Sequence, residues 1–190
     1  MKRVFMVHGW DGFPENHWFP WLKKELEKLE FKVITPKMPD TSNPRINTWV
    51  NFLEKSVGKA DENTIFVGHS IGCQTIMRYL EKLDDKQKVN GIIFVAGWFN
   101  LPFLKTKEEK MIAKPWLEIP INTAKIKGIA NKIVAIFSDD DPDVSLEDAK
   151  LFEKRLDAKI IIERKKGHFT SDAGVDKLPS ALNALKEMVK

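Results

Sequence analysis

The chain has 190 residues, of which 43% are hydrophobic and 31% are charged, and it contains one cysteine. This length suits one domain with its own core, and the composition excludes disordered, collagen-like and disulfide-stapled proteins. Lys and Arg total 31 against 27 Asp and Glu, a formal net charge of +4. Because the two signs are interleaved along the chain, we expect a solvated lysine-rich surface and no nucleic-acid partner.

The first residues predict a strand and not an export signal. Four apolar residues at 4–7 follow a basic start, whereas a signal peptide has an apolar region of about 7–15 residues. No apolar run approaches the roughly 20 residues that cross a bilayer. With Cys73 as the lone cysteine, we expect a soluble cytoplasmic protein without membrane contact.

The first half of the chain alternates short apolar runs, rich in Val, Ile and Phe, with segments of helical periodicity. In chain order these predict a strand at 4–7, a helix through Trp18, Leu22, Leu26 and Leu29, a strand at 32–35, a helix through Trp49, Phe52 and Leu53, a strand at 64–67 and a helix at 71–83.

The second half continues the alternation, with strands predicted at 91–95, 132–137 and 159–162 and helices at 146–156 and 178–189. Ser145 and Asp148 have the spacing of a capping box at the start of the first of these helices. One interval, 97–131, breaks the rhythm with three prolines and a charged stretch. We interpret it as a small lid-like excursion plus one crossover helix, within a single domain spanning 1–190.

Regular alternation of strand and helix predicts right-handed βαβ units. Six such strands give a parallel six-stranded sheet covered by helices on both faces, a three-layer α/β/α sandwich. Ligands of sheets of this kind bind outside the carboxyl ends of the strands. The chemistry is therefore expected in the loops that follow the strands.

The pentapeptide at 68–72, Gly-His-Ser-Ile-Gly, lies between the third predicted strand and the third helix. G-x-S-x-G in this context forms a sharp turn that exposes a nucleophilic serine at the top of the sheet. We predict Ser70 as the nucleophile and the main-chain N–H of Ile71, at the helix start, as an oxyanion donor. The alternative is a glycine-rich crossover turn with a solvent-facing serine.

A serine hydroxyl needs a neighbouring base, and the base needs a carboxylate that orients it. His168 follows the last predicted strand and is the predicted base. The chain order Ser, acid, His places the acid after the fifth strand, in the aspartate-rich segment 139–143. We favour Asp141, because Pro142 holds the preceding residue in an extended backbone; Asp140 is the alternative.

The loop at 8–12 follows the first strand, where this fold supplies a second oxyanion donor, and the main chain of Trp10 is the predicted donor. Four loop aromatics are candidates for the substrate pocket wall, with core packing as the alternative: Phe13, Trp98, Phe99 and Trp116. No histidine pair has the spacing of a zinc-binding helix, so we expect no metal and no cofactor.

Beyond the triad residues, several segments resemble the small serine-hydrolase family that includes retinoblastoma-binding protein 9. The similar segments lie at 21–28, 37–40, 68–70, 77–79, 114–116, 140–142 and 167–169. The resemblance implies a minimal α/β-hydrolase fold without a large cap domain, with strand order 2-1-3-4-5-6. It also implies a triad of Ser70, Asp141 and His168, which supports Asp141 over Asp140.

These observations predict a carboxylesterase-like serine hydrolase that cleaves a small ester, thioester or amide through an acyl-enzyme. The expected partner is a small-molecule acyl substrate, and nothing in the sequence indicates a protein partner. The alternative is a non-catalytic protein-binding module on a hydrolase scaffold, because a fold alone does not establish an activity.

Overall fold

Six parallel strands form one sheet in the computed structural model, which describes residues 1–190. The strand order is β2-β1-β3-β4-β5-β6, which confirms the predicted parallel sheet and its order. The strands are β1 (Arg3–Val7), β2 (Lys32–Ile34), β3 (Thr64–His69), β4 (Gly91–Val95), β5 (Ile133–Ser138) and β6 (Lys159–Glu163).

Helices cover both faces of the sheet and complete the predicted three-layer architecture. The helices are α1 (Phe19–Glu27), α2 (Ile46–Val57), α3 (Ile71–Leu80), α4 (Lys107–Glu118), α5 (Thr123–Ile129), α6 (Leu146–Leu156) and α7 (Pro179–Met188). Helices α1 and α7 pack on one face, and α2 to α6 supply the apolar residues that cover the other. None of them combines the length and the apolar character that a membrane crossing requires.

The core is divided by the sheet into two clusters. In β1, Val4 and Met6 face α1 and α7, whereas Phe5 and Val7 face the opposite layer. This alternation follows from the two-residue period of a strand. The strands β3 and β4 are buried along their whole length, as expected for parallel strands covered on both faces. Their carboxyl ends are therefore held rigidly, which matters for the loops that follow.

The structure differs from the sequence-based expectations in the second half of the chain. The interval 97–131 contains two helices, α4 and α5, where the sequence indicated one crossover helix. A capping box is present at Thr106 and Glu109, at the start of α4. The one predicted at Ser145 and Asp148 does not form, because the Asp148 carboxylate turns away from its own helix end.

Asp148 instead anchors the beginning of the excursion. Its Oδ1 accepts hydrogen bonds from the backbone N–H groups of Phe99, at 2.6 Å, and Asn100, at 3.1 Å. The side chain is fully buried and its Oδ2 has no partner. Burial raises the pKa of this carboxyl group above its ordinary value of 3.8, although the two N–H donors oppose the shift. The anchor therefore holds a charge that is costly at neutral pH.

We expect Asp148→Ala to lower the free energy of unfolding by about 2 kcal/mol, since two N–H groups lose their acceptor. Asp148→Asn keeps Oδ1 and removes the charge. Because the folded-state pKa is raised, ionisation reduces wild-type stability as the pH rises above 3.8, and Asp148→Asn does not suffer this loss. Urea unfolding at pH 4 and pH 7 measures both effects. Glu147→Ala, at an exposed neighbour, is the control; an Asp148→Ala variant as stable as that control would contradict the anchor.

Gly72, in the first turn of α3, lies against the end of β1. A Cβ atom at this position would lie 2.2 Å from the Val7 carbonyl oxygen and 2.7 Å from that of His8. Both contacts are to backbone, so a larger residue would force the helix away from the sheet. The close packing of α3 against β1 therefore requires glycine here.

We expect Gly72→Ala to lower the free energy of unfolding by about 3 kcal/mol, because the helix and the strand must separate. Gly128→Ala is the matched control: it lies in α5 with nothing within 4 Å of an added Cβ. That control should gain about 0.5–1 kcal/mol from the helix preference for alanine. Urea denaturation of the three proteins measures the difference, and equal midpoints would contradict the predicted clash.

Candidate active site

Ser70 occupies the turn between the last residue of β3 and the first residue of α3. Its backbone has φ 53° and ψ −122°, a region that L-residues adopt only where the surrounding structure holds them there. The Ser70 N–H donates to the Val95 carbonyl at 2.9 Å, and its own carbonyl accepts from the Cys73 N–H at 2.9 Å. A Cβ on Gly68 would lie 2.8 Å from the Cys73 nitrogen. The glycines of the pentapeptide thus permit this turn, as the sequence indicated.

A cavity of about 550 Å³ opens at the carboxyl ends of the strands. Ser70, Ile71, His168 and Trp10 all line it. Three segments from separate parts of the chain therefore meet around the serine. The structure contains no hydrogen bond between the Ser70 hydroxyl and His168, although both residues line the cavity. Catalytic hydrogen bonds are often long before substrate binds.

The His168 imidazole is held by Asp141. Nδ1 of His168 lies 3.0 Å and 2.9 Å from the two carboxylate oxygens of Asp141. A carboxylate only accepts, so Nδ1 carries the proton and Nε2 is left as the basic nitrogen. Asp141 also accepts from the N–H groups of Asp143 and Val144. The Asp141 side chain is 2% exposed, so water does not compete for it.

The loop after β5 and the loop after β6 are joined residue by residue. Each of the four consecutive residues 138–141, from the last residue of β5 into its loop, bonds one of the four consecutive residues 165–168. The bonds run from Lys165 N to Asp139 Oδ1, from Lys166 N to Ser138 Oγ, from Gly167 N to Asp140 Oδ1 and from His168 Nδ1 to Asp141. We refer to these eight residues as the loop ladder. The aspartates that look redundant in sequence therefore have separate partners.

Asp140 contacts the backbone of the loop after β6, which carries His168 and is called the histidine loop below. It does not contact the imidazole. Its Oδ1 accepts from the Ser138 hydroxyl at 2.7 Å and from the Gly167 N–H at 2.8 Å. The Ser138 hydroxyl, and then the Gly167 N–H, hold the pKa of Asp140 below its ordinary value. The geometry thus separates the two aspartates that the sequence left as alternatives.

The backbone N–H groups of Trp10 and Ile71, both in the cavity wall, donate no hydrogen bond within the protein. The Trp10 loop is fixed by His8, whose Nδ1 donates to the Gly9 carbonyl and whose Nε2 accepts from the Met38 N–H. Burial lowers the pKa of His8, so the ring is neutral and both bonds persist at pH 7. The arrangement leaves two donors available to an oxygen near Ser70.

Of the four aromatics considered for the pocket wall, only Trp98 lines the cavity. Phe13 is 44% exposed, because its loop turns outward. Phe99 packs on Phe152, with ring centroids 4.8 Å apart. Trp116 is buried beside α2, where its indole N–H donates to the Pro44 carbonyl. Side-chain direction in these loops depends on anchors such as Asp148 that the sequence did not reveal.

Besides His8 and His168, two histidines to which the sequence analysis gave no role also line this cavity. His17 and His69 line the cavity, and the His69 ring centroid lies 5.0 Å from that of His168. His69 could have been found from its position next to Ser70 at a strand end. His17 gave no local signal, because its placement depends on a positive φ of 56° and on a bond from the Ser171 N–H.

The remaining wall is formed by the start of the excursion and by α4. It includes Leu101, Phe103, Leu104, Lys105, Thr106, Glu108, Glu109 and Ile112. Asp141, Asp143 and His168 place three potential ligand atoms within 4.8 Å of one another. Asp141 and His168 already bond each other there, so the arrangement is satisfied without an ion.

Comparison with known proteins gives one family. The family model described as serine hydrolase matches residues 4–187. YdeN of Bacillus subtilis is 33% identical over 185 residues, covering 97% of this chain and 94% of that protein. The serine hydrolase RBBP9 of Rattus norvegicus is 31% identical over 170 residues, and the match covers 88% of this chain and 87% of RBBP9.

Solved structures agree with this grouping. The crystal structure of the B. subtilis ydeN gene product superposes with a TM-score of 0.92 at 31% identity, covering 100% of this chain and 99% of that one. Est1E from Butyrivibrio proteoclasticus shares the fold at a TM-score of 0.74 and 13% identity, covering 99% and 88% of the two chains. The chain therefore belongs to the serine hydrolase family and has the α/β-hydrolase fold.

Proposed function

We propose that the protein is a carboxylesterase-like hydrolase that cleaves a small ester, thioester or amide through a Ser70 acyl-enzyme. The observation that carries the proposal is the shared cavity of Ser70 and His168, together with the bond from His168 Nδ1 to the buried Asp141. This combination supplies a nucleophile, a base of defined tautomer and an orienting carboxylate. Burying a carboxylate costs free energy, so a buried carboxylate without a catalytic role would only destabilise the protein.

In the acylation step, Nε2 of His168 takes the Ser70 hydroxyl proton as Oγ attacks the carbonyl carbon. The imidazolium that forms is stabilised by Asp141, 2.9 Å from Nδ1. The N–H groups of Ile71 and Trp10 bind the oxyanion, with the positive end of α3 adding to them. His168 then protonates the leaving alcohol, thiol or amine as the carbon bond to it breaks.

In the deacylation step, water replaces the leaving group. His168 removes a proton from the water, whose oxygen attacks the acyl carbon, and the second tetrahedral intermediate uses the same two donors. Collapse returns the proton to Ser70 Oγ and releases the carboxylic acid. Apart from the substrate and this water molecule, neither step requires a group outside the chain.

The size of the cavity supports a small-molecule substrate. Its volume of about 550 Å³ lies within the range of roughly 300–1,000 Å³ that is usual for such sites. We further propose that 97–131 acts as a lid-like wall within a single domain. Near its beginning, the backbone of this segment is bonded by Asp148 and Gln74. At the end of α4, Arg78 donates to the carbonyls of Trp116 and Ile119. The wall between these anchors would select the substrate.

The test is to incubate the wild type and the Ser70→Ala variant with a fluorophosphonate probe and to measure the intact mass. We expect one adduct on the wild type and none on the variant, because only a serine with an aligned base reacts rapidly. Hydrolysis of p-nitrophenyl esters of increasing acyl length, and of thioester and anilide analogues, then defines the substrate class. Absence of label on both proteins would overturn the proposal and favour the non-catalytic binding module.

A further inference from the structure

A buried histidine beside the serine, His69, bonds the loop after β6 in addition to the loop ladder. His69 is the last residue of β3 and is 3% exposed. Its Nε2 lies 2.8 Å from the His168 carbonyl oxygen. A carbonyl only accepts, so this nitrogen carries the proton and donates. The bond therefore joins the residue before Ser70 to the backbone of His168.

The His69 ring is kept neutral by its surroundings. Burial is the main cause that lowers the pKa of His69 well below its usual value, and the neighbouring His168, His17 and His8 lower it further. His168 comes from the loop after β6, whereas His8 and His17 both come from the loop between β1 and α1; these are the titratable groups that influence the ring. A neutral ring maintains a fixed donor at pH 7 and adds no positive charge beside the imidazolium that His168 forms.

The position of this bond is informative. The loop ladder ties the histidine loop to β5, but Ser70 follows β3, and β4 lies between those strands. The imidazole and the hydroxyl are thus held by different parts of the sheet. The His69 bond is a direct connection from the nucleophile turn to the His168 backbone, at the site where a misplacement of about 1 Å can cost about 10²-fold in rate.

We propose that His69 is a positioning residue that sets the His168 imidazole at its working distance from Ser70. The inference rests on the proposed function of those two residues. The His69 hydrogen bond is to the backbone carbonyl of His168 and not to a reacting atom, so His69 acts through the position of that backbone.

The experiment compares His69→Gln with His69→Asn. A glutamine amide nitrogen occupies about the place of imidazole Nε2, whereas that of asparagine corresponds to Nδ1 and falls short of the His168 carbonyl. The two variants therefore carry the same amide group, but only the glutamine amide extends far enough to donate to the His168 carbonyl. We measure kcat, KM and the pH dependence of kcat with a p-nitrophenyl ester, together with the rate of fluorophosphonate labelling and the melting temperature.

We expect His69→Asn to lose about 10²-fold in kcat with little change in KM, and to shift the apparent pKa of the acidic limb. His69→Gln should recover most of the loss. An Asn variant with wild-type kcat and pH profile would overturn the proposal, as would equal losses in both variants. Failure of the wild type to react with the probe would instead contradict the proposed function.

A second measurement does not depend on the folding of variants. Nitrogen-15 NMR of the wild type reports the tautomer and charge of each histidine. We expect His69 to be neutral, with the proton on Nε2, at pH 6 and above. A cationic His69 at pH 6, or a proton on Nδ1, would overturn the proposal whatever the activity of the enzyme.

Discussion

Replacing His168 by alanine is expected to lower kcat by about 10⁶-fold while leaving the fold intact. Without Nε2, the Ser70 hydroxyl loses its proposed base, and about 8 kcal/mol of transition-state stabilisation is lost. The fold survives because the histidine loop is held by backbone groups. Gly167 and Lys166 still donate to Asp140 and Ser138, and the residue 168 carbonyl still accepts from His69.

The measurement is steady-state ester hydrolysis by the purified variant, with circular dichroism to verify folding. Ser70→Ala should lose a similar factor, and the double variant should lose no more than either single one, because the two residues act as a unit. His17→Ala is the matched control: it also removes an imidazole from the cavity wall, but one without a bond to Asp141. A folded His168→Ala enzyme within tenfold of the wild type would disprove the assigned base.

Asp141→Asn is expected to lower kcat by about 10⁴-fold. The amide can present its NH₂ group to Nδ1, which drives the His168 proton to Nε2 and leaves no base facing the serine. The backbone donors at Asp143 and Val144 still hold the loop through the amide oxygen. The loss should therefore appear in kcat and in the labelling rate, with a melting temperature close to that of the wild type.

Asp140→Asn is the matched control, one residue away in the same loop. Its Oδ1 is kept, and so are the bonds from Ser138 and Gly167. We expect kcat within about tenfold of the wild type, because the imidazole loses no partner. The opposite ranking of the two variants, with Asp140→Asn the weaker enzyme, would reverse the assignment of the orienting acid.

The six strands were predictable because each is a short apolar run, whereas their order in the sheet was implied by the resemblance and not by the runs themselves. Val4 to Val7 and the residues of β3 show this directly, since both faces of these strands are covered. The turn at Ser70 was also predictable, because the pentapeptide at 68–72 marks it; Gly68 is required by contacts with the adjoining helix, although Gly72 is required by contacts with the distant end of β1. Sequence patterns that mark a strand or a turn extend over only about ten consecutive residues.

Features that depend on distant contacts were not predictable. Asp148 has the spacing of a capping residue, but its carboxylate bonds Phe99 and Asn100, nearly fifty positions away. Phe99 and Trp116 look like loop aromatics, yet they pack in the core once the excursion is anchored. The role of His69 likewise follows only from a bond that spans 99 positions of the sequence.

The loop ladder has a consequence for how such enzymes diversify. Its four bonds join four consecutive residues of one segment to four consecutive residues of the other, so inserting or deleting one residue beside Asp141 or His168 would displace the two from each other. The excursion carries no such register between its anchors at Asn100 and Trp116. Evolution, or a protein engineer, can therefore graft segments of other lengths between those points and change the substrate range while the catalytic residues stay as they are.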